Sequence, residues 1–354
     1  MKTILAVAGT ASLLTIAAPA CAARYAFTTI DGPASPGLFG TVVTDLNNRG
    51  EAAGYYVDLG PPAYPGGPPT SVYSAFVTRT DGTGFTTINR PGYAETGGSG
   101  INDSGSVVGV SLLFAPVGTG FLRTAGGAYS DIDPANGGLT SIYSEAIGTN
   151  DAGDVTGYFV SSIPGGATSI QPYAHGFIDR GGVFTQFDVP GALGFGTELA
   201  GINGAGELAG TFLDNTPAHN LQSFTWTAGG GFDVVAVPGA TSVEAGGIND
   251  AGDLVGSALT DNPFSPLGYV AAGFLSSGGV LTPIAVPGAF STEPLGINDF
   301  GQISGLYIDG TGIHGFIAAP APEPTAWTLM VIGFAGLGGA LRRRRSYIAT
   351  SKVG

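Results

Sequence analysis

The sequence predicts an all-β protein whose body is a six-bladed β-propeller-like ring of repeats. An Asn-x-x-Gly-x-x-x-Gly pattern occurs six times, each repeat is about fifty residues long, and each has room for four strands. Periods of about forty to fifty residues with four strands are typical of β-propellers. The chain has 62 glycines, but glycine recurs at constant positions of the repeat and the chain is 43% hydrophobic, which argues against a low-complexity sequence. A sandwich, a solenoid and an irregular β body remain alternatives.

The repeated pattern indicates a β-hairpin with a tight turn. Its first glycine recurs at intervals of 55, 48, 53, 46 and 49 residues, and a small or aliphatic residue follows two positions later. Asn and Asp hydrogen-bond to the backbone of their own turn, and Gly supplies the positive φ of a bulged hairpin. The six copies are Asn47/Gly50, Asn102/Gly105, Asn150/Gly153, Asn203/Gly206, Asn249/Gly252 and Asn298/Gly301.

Two further patterns supply the remaining strands of each unit. A small residue followed by Phe recurs at Phe76, Phe121, Phe177, Phe224, Phe274 and Phe316. A proline ends an apolar run at Pro33, Pro91, Pro134, Pro190, Pro238 and Pro287. Each unit therefore contains a Phe strand, a glycine turn, a proline-ended strand and the hairpin.

The ends of the repeat array predict a closed ring. The first unit begins at residues 25–30 without a Phe strand, whereas an extra Phe strand, residues 314–318, follows the sixth hairpin. We expect this strand to complete the first blade beside the N-terminal strand, which would remove the exposed sheet edges of an open array. Longer loops at residues 58–72, 160–174, 213–221 and 259–271 should share one rim, as a ligand site or as spacers.

The repeats resemble HAF-type extracellular repeats. His175-Gly176-Phe177 and His314-Gly315-Phe316 are similar to the opening of that pattern, and residues 247–256 are similar to its hairpin. The resemblance implies architecture and export rather than an activity. Because the two histidines share one repeat position, a structural place beside the Phe strand is the expected role.

The N-terminus has the features of a secretory signal peptide, expected over residues 1–23. Lys2 precedes an uncharged run that ends near Ala18, and small residues follow as far as Ala23. Cleavage after Ala20, Ala22 or Ala23 fits this pattern. Cys21, the only cysteine, is either a small residue near the cleavage site or a lipoprotein acylation site, so the mature body has no disulfide.

The C-terminus combines a short motif, an apolar run and a basic cluster. Pro322, Glu323 and Pro324 precede the uncharged residues 325–341, which are followed by Arg342, Arg343, Arg344 and Arg345. Such a run rises about 25 Å as a helix, enough for a hydrocarbon core of about 30 Å if its flanking residues snorkel. The arginines favour the cytoplasmic side of an inner membrane.

This order of features, over residues 322–345, resembles the PEP-CTERM sorting signal. The resemblance implies Gram-negative bacteria that make exopolysaccharide, in which an exosortase acts on the tail near the PEP motif. A short tail, residues 346–354, departs from the pattern. We expect a chain that is exported, anchored in the inner membrane only before processing, and then found at the cell surface or outside the cell. An ordinary C-terminal anchor is the alternative.

The charge and motifs of the body, residues 24–321, narrow its chemistry. Six arginines, no lysine and 25 acidic residues give a net charge of −19, which disfavours nucleic acid as a partner. No nucleophile motif or phosphate-binding loop is recognisable, and three scattered histidines do not make a zinc site. Calcium is the one candidate cofactor, through Asp151, Asp154, Asp250 and Asp253, although a hairpin role is favoured because other copies lack the set.

These features favour a non-catalytic surface or matrix protein that binds exopolysaccharide or other envelope components. Its further partners would be the exosortase and the secretion machinery. The alternative is an extracellular propeller enzyme, a hydrolase or lyase, that acts on polysaccharide through clustered carboxylates and aromatics such as Asp131, Asp133 or Trp226. Asp131 and Asp133 flank one residue and would share a strand face. A structural filler without a ligand is a third reading.

Overall fold

The computed structural model describes residues 25–33, 40–60, 70–114, 117–139, 141–161, 173–193, 196–261 and 269–321. The expected signal peptide and the expected sorting tail lie outside these residues. No helix within the described ranges is long and apolar enough to cross a membrane.

Six four-stranded antiparallel sheets form the blades of a propeller, as the repeat count predicts. Blade one comprises β2 (Thr41–Leu46), β3 (Glu51–Gly60), β4 (Thr70–Arg79) and β5 (Thr86–Thr87). Blade two comprises β6 (Glu95–Ile101), β7 (Val107–Phe114), β8 (Val117–Arg123) and β9 (Tyr129–Ile132). Blade three comprises β10 (Tyr143–Thr149), β11 (Val155–Ser161), β12 (Tyr173–Arg180) and β13 (Val183–Phe187).

Blades four and five repeat this order, and blade six combines both ends of the body. Blade four comprises β14 (Thr197–Ile202), β15 (Leu208–Leu213), β16 (Leu221–Thr227) and β17 (Gly231–Val234). Blade five comprises β18 (Ser242–Ile248), β19 (Leu254–Asp261), β20 (Tyr269–Ser277) and β21 (Val280–Ile284). Blade six comprises β22 (Ser291–Ile297), β23 (Ile303–Ile308), β24 (Ile313–Pro320) and β1 (Tyr25–Ile30). Each innermost strand contacts the innermost strands of both neighbouring blades, so the ring is closed.

The seam between the two ends differs from the prediction in one respect. β1 pairs with β24 along six residues, from Tyr25 opposite Pro320 to Ile30 opposite Gly315, and this pairing confirms the predicted closure. The prediction that this strand completes the first blade is wrong. β24 follows β23 through the short connection 309–312 and pairs with it in blade six. The proline-ended strand is therefore the outermost strand of each blade, and the chain passes from it to the next blade.

The phenylalanine of each third strand is the centre of the packing. These six rings are 0–4% exposed, and the aliphatic residue after each turn glycine is also buried. Hydrophobic clusters join neighbouring blades, as where Ile178 of β12 packs with Leu199 of β14 and Phe224 of β16. Full burial of one such side chain contributes about 1.5–3 kcal/mol.

The second glycine of the repeated pattern makes room for this packing. A Cβ atom at Gly54 would lie 2.0 Å from the carbonyl oxygen of Val42 and 2.9 Å from the ring of Phe76. At Gly157 it would lie 1.9 Å from the carbonyl oxygen of Glu145. Both distances are shorter than a carbon can tolerate, so glycine is the residue that fits between the first strand and the phenylalanine.

The asparagine turns connect the blades to one another. Within its own turn, Asn249 accepts hydrogen bonds from the backbone N–H groups of Ala251 (3.1 Å) and Asp253 (2.9 Å). Its Nδ2 atom donates to the backbone carbonyl of Asn298 in the next blade, at 3.2 Å. The same link joins Asn47 to Asn102, Asn102 to Asn150, Asn150 to Asn203, Asn203 to Asn249 and Asn298 to Asn47, at 3.0–3.1 Å. We call these six side chains the asparagine ring; all are 3–7% exposed.

Replacing Asn249 by Asp tests the link between blades. The carboxylate keeps the two acceptor bonds inside the turn, but it has no donor and faces the carbonyl oxygen of Asn298. An unsatisfied buried group costs about 1–3 kcal/mol, so Asn249→Asp should lower the free energy of unfolding by that amount in urea titrations. Asn220→Asp, in the loop after β15, controls for the added charge. Equal stability of the two variants would show that the asparagine ring contributes nothing.

Candidate functional site

A channel of about 460 Å³ runs inside the ring of innermost strands. The asparagine ring lies at one end, and the lining reaches Gly196, Leu213 and Leu221 towards the other. Leu213 and Leu221 flank a loop between the second and third strands of blade four. Antiparallel pairing places the corresponding strand ends of the other blades at the same face of the ring, as predicted. Small-molecule sites have volumes of about 300–1,000 Å³, so the channel has the size of one.

A β-bulge in every blade turns one residue of the innermost strand into the channel. The pairing of the first two strands shifts register three residues before each asparagine. Bulges re-aim side chains in this way next to binding sites. The residues at this position all line the channel: Thr44, Ser99, Ile147, Ala200, Gly246 and Leu295.

Four glutamates occupy one repeat position, five residues before the asparagine. They are Glu145, Glu198, Glu244 and Glu293, in blades three to six. The first three line the channel, and Glu293 is 5% exposed beside it. None of these glutamates is among the residues predicted above, although their constant spacing from the asparagine is visible in the sequence. Val42 and Gly97 take this position in blades one and two.

Glu145 is held by three hydroxyl groups. Tyr143 and Tyr158 donate to its Oε2 atom at 2.9 and 3.3 Å, and Ser99 of the neighbouring blade donates to Oε1 at 3.4 Å. The rings of Tyr143 and Tyr158 lie 5.8 Å apart. These donors fix the carboxylate against the wall of the channel.

Tyrosines also surround the glutamates of the last two blades. Tyr269 donates to both carboxylate oxygens of Glu293, at 3.1 and 3.3 Å. Tyr55 lines the channel, and its partial burial, near Glu145 and Glu293, raises the pKa of its hydroxyl. Within the described part of the chain, no hydrogen bond engages the hydroxyl of Tyr55 or the carboxylates of Glu198 and Glu244. The cluster thus contains both satisfied and unused hydrogen-bonding groups.

Burial and mutual repulsion shift the acidity of these carboxyl groups. Burial raises the pKa of Glu293 to about 7, and the nearby Glu244 adds to the effect. Burial, together with Glu145 and Glu244, raises the pKa of Glu198 to about 7. The side chain of Glu198 is open to the channel, where solvent weakens the shift in its pKa, whereas Glu293 is only 5% exposed. No Lys, Arg or His is found among the described residues that line the channel.

Asp45 is the single departure from the glycines that pack around the axis. Five blades carry Gly two residues before the asparagine, and a Cβ at Gly148 would lie 2.9 Å from the Cα of Gly201. Blade one has Asp45 there, and its Oδ2 atom accepts a hydrogen bond from the backbone N–H of Ile101 at 2.9 Å. Burial raises the pKa of Asp45 to about 7. Asp45 therefore adds a further acidic group to the channel lining, near its asparagine end.

The predicted calcium residues lie on the turns at that end, and hydrogen bonds within the ring use some of them. Asp151 accepts from the backbone N–H of Asp103 at 2.8 Å, and Asp250 accepts from that of Gly204 at 2.6 Å. Asp154 forms an ion pair with Arg180 at 3.1 Å. Among the described residues, no hydrogen bond joins the side chains of Asp250 and Asp253. No group of three His, Cys, Asp or Glu side chains in the described ranges is arranged to hold a metal ion. Calcium binding remains a prediction.

The aspartates of these turns form a second, incomplete ring of bonds. In five of the six turns, the side chain of the residue after the asparagine accepts from the backbone of the preceding turn, at 2.6–2.9 Å. The chain of bonds runs through Asn48, Asp103, Asp151, Asp250 and Asp299, and it is interrupted at Gly204, which has no side chain. This arrangement explains why Asp is frequent at the position without requiring a metal ion.

The other predicted site residues lie away from the channel. β9 ends at Ile132, so Asp131 and Asp133 do not share a strand face as predicted: Asp131 pairs with Arg90 at 2.6 Å, and Asp133 caps a short 3-10 helix, Pro134–Gly137. Trp226 packs edge-on against Phe187, in the hydrophobic cluster between blades three and four. The strand ends before Asp133 because Pro134 cannot donate a ladder hydrogen bond.

The two histidines of the Phe strands form equivalent contacts. His175 lies 3.0 Å from Asp188, and His314 lies 2.9 Å from Asp31. Each imidazole also lies against an aromatic ring of the second strand, Phe159 or Tyr307. Both side chains link strands of one blade, which agrees with the structural place expected from their shared repeat position.

Comparison with known proteins gives similarity of fold alone. No protein-family model and no curated protein matches the chain. Among solved structures, the fucose-specific lectin from Aleuria aurantia has 11% identity over 85% of this chain and 98% of that chain, with a TM-score of 0.42. The β-propeller domain of the Trilobed protease from Pyrococcus furiosus has 8% identity over 83% and 94%, with a TM-score of 0.46. A gluconolactonase from Xanthomonas campestris has 12% identity over 83% and 98%, with a TM-score of 0.41.

The buried glutamates should make the protein less stable as the pH rises towards neutrality. The folded protein holds a proton on Glu293 up to about pH 7, whereas the unfolded chain releases it near pH 4.5. The free energy of unfolding should therefore fall between those values, by about 1–3 kcal/mol for this group. Glu293→Gln should flatten the fall and exceed the parent in stability at pH 8, as measured by urea unfolding at pH 5 and pH 8. Asp233→Asn, exposed on β17, is the control. A parent-like slope in Glu293→Gln would contradict the assignment.

Proposed function

We propose that this chain is an exported, non-catalytic surface or matrix protein whose propeller binds a saccharide segment of the exopolysaccharide in its channel. The single observation that supports the binding role is a channel of about 460 Å³ lined by Glu145, Glu198, Glu244 and Tyr55, with further tyrosines hydrogen-bonded to Glu145 and Glu293. Sugar hydroxyl groups donate hydrogen bonds to carboxylates, and tyrosines present both an apolar ring and a polar hydroxyl. A channel of this volume has room for a chain end or a branch of a polymer.

The hydrogen bonds within the glutamate and tyrosine cluster favour ligand binding over catalysis. Glu145 and Glu293 are fixed by tyrosine donors, which hold the carboxylates in place. Glu198, Glu244 and the Tyr55 hydroxyl remain open to a ligand. A site that combines fixed groups with a few unused polar groups has the usual composition of a saccharide or small-molecule pocket.

An enzyme that hydrolyses polysaccharide is the second candidate, and one observation favours it. Glycosidases need one carboxyl that holds a proton and one that is ionised. The pKa values of Glu198 and Glu293 are raised to about 7, so either residue could hold a proton while a neighbouring carboxylate is ionised. For an enzyme, the glutamates of blades three to six, rather than Asp131 and Asp133, would supply the carboxyl groups.

Retention on polysaccharide tests the binding role. The mature protein, recovered from its host, should be retained on immobilised exopolysaccharide of that host. A Glu145→Gln/Tyr158→Phe variant should be retained at least about tenfold less, because a good hydrogen bond to a charged group is worth about 1.5–3 kcal/mol. Asp233→Asn should behave like the parent.

The same incubation separates the two candidates. Release of reducing ends by the parent, and its loss in Glu198→Gln, would establish the enzyme. Retention without release supports the non-catalytic role. Absence of both would overturn a polysaccharide function altogether.

The mass of the mature protein tests export and sorting. Removal of residues 1–23 and of the tail near Pro322 should be seen by mass spectrometry of protein from the medium or the cell surface. Replacing Pro322 and Pro324 by Ala should leave the tail attached and the chain in the inner membrane. Replacing Pro320, which lies before the motif, is the matched control. An intact tail in the parent would mean a simple anchor.

A further inference from the structure

We infer that the channel selects saccharides that carry a free, protonated amine, such as glucosamine units without an acetyl group. This inference rests on the proposed function, because it names the ligand class of the same site. It also goes beyond that function, since a neutral or an acidic polysaccharide would satisfy the proposal equally.

The charge of the channel is one-sided. Glu145, Glu198 and Glu244 line one part of the wall, and Asp45 lies towards the asparagine end. At that end the turns add Asp103, Asp151, Asp250 and Asp299. Within the described lining, no basic side chain opposes these acids. A uronic acid or a sulfated sugar would enter against this repulsion, whereas a cationic sugar would be attracted.

The unused groups match the donors of an ammonium ion. An alkylammonium group has three N–H donors and no acceptor. Glu198 and Glu244 lie at equivalent positions of neighbouring blades, and neither carboxylate is engaged in a hydrogen bond within the described chain. Tyr55, partly buried in the same lining, makes no hydrogen bond through its hydroxyl to another described residue. An ammonium group between the two glutamates would both satisfy them and relieve their mutual repulsion.

The geometry favours an organic cation over a metal ion. Calcium needs six to eight oxygens at about 2.3–2.6 Å. No three acidic or histidine side chains of the described residues come close enough together to hold one ion. The acids are instead spread over successive blades around a channel of about 460 Å³, whose lining also includes Tyr55. Carboxylates spread around a channel of this size suit a sugar that carries its charge on one substituent.

Isothermal titration of the mature protein with three tetrasaccharides of equal length tests the inference. The probes are the glucosamine tetramer, the N-acetylglucosamine tetramer and cellotetraose. We expect the glucosamine tetramer to bind at least tenfold more tightly than the other two. Glu198→Gln/Glu244→Gln should remove this preference. Asp233→Asn/Asp261→Asn, which removes two exposed charges, one on β17 and one at the end of β19, should keep it and so controls for net charge.

Each other outcome overturns the inference in a distinguishable way. Equal affinity for the three tetramers would overturn amine selection and leave saccharide binding intact. A preference that survives Glu198→Gln/Glu244→Gln would place the amine elsewhere. Failure of the glucosamine tetramer to bind, while the exopolysaccharide is retained, would overturn the inference alone. Failure of every tetramer and of the exopolysaccharide would overturn the proposed function as well.

Discussion

Six asparagine side chains, each bonded within its own turn and to the backbone of the next turn, determine how the blades are placed. Hydrophobic packing holds neighbouring blades together, and the asparagine bonds add a directional link between their inner turns. The amide of Asn249 supplies that connection, because its oxygen is used in its own turn and its nitrogen reaches Asn298. Only a residue with an acceptor and a donor on one short side chain can do both.

The channel follows from this constraint. Once the turns are fixed, every position counted back from the asparagine has a fixed distance from the axis. Three residues back lies the bulge, and five residues back lies the glutamate of blades three to six. Changes at these two positions alter the lining without affecting the hydrogen bonds that close the ring. The repeat therefore separates the residues that hold the fold from those that define the site.

The sequence predicts the fold well where the controlling chemistry is local. The turn at Asn47 and Gly50, the buried Phe76 and the proline that ends each outer strand are features of short segments, and all are found where expected. The blade that β24 completes is not predicted, because the repeat pattern does not show whether the Phe strand pairs with the hairpin before it or with the hairpin after it. The roles of Glu145 and Glu198 are missed for a different reason. Their side chains converge only in the ring, and nothing along the chain marks that convergence except their spacing.

The seam between β1 and β24 has a consequence for how the ring is assembled. These strands are separated by almost the whole body, and contacts between distant segments form late. Whenever the chain is delivered from its N-terminus, β1 waits as an unpaired strand until β24 arrives, and the outer edge of β24 is open until β1 reaches it. An open edge pairs with any matching strand, including the same strand of another molecule. At high local concentration, exchange of β1 between molecules competes with closure, so the step that completes one ring is also the step at which two chains can become linked.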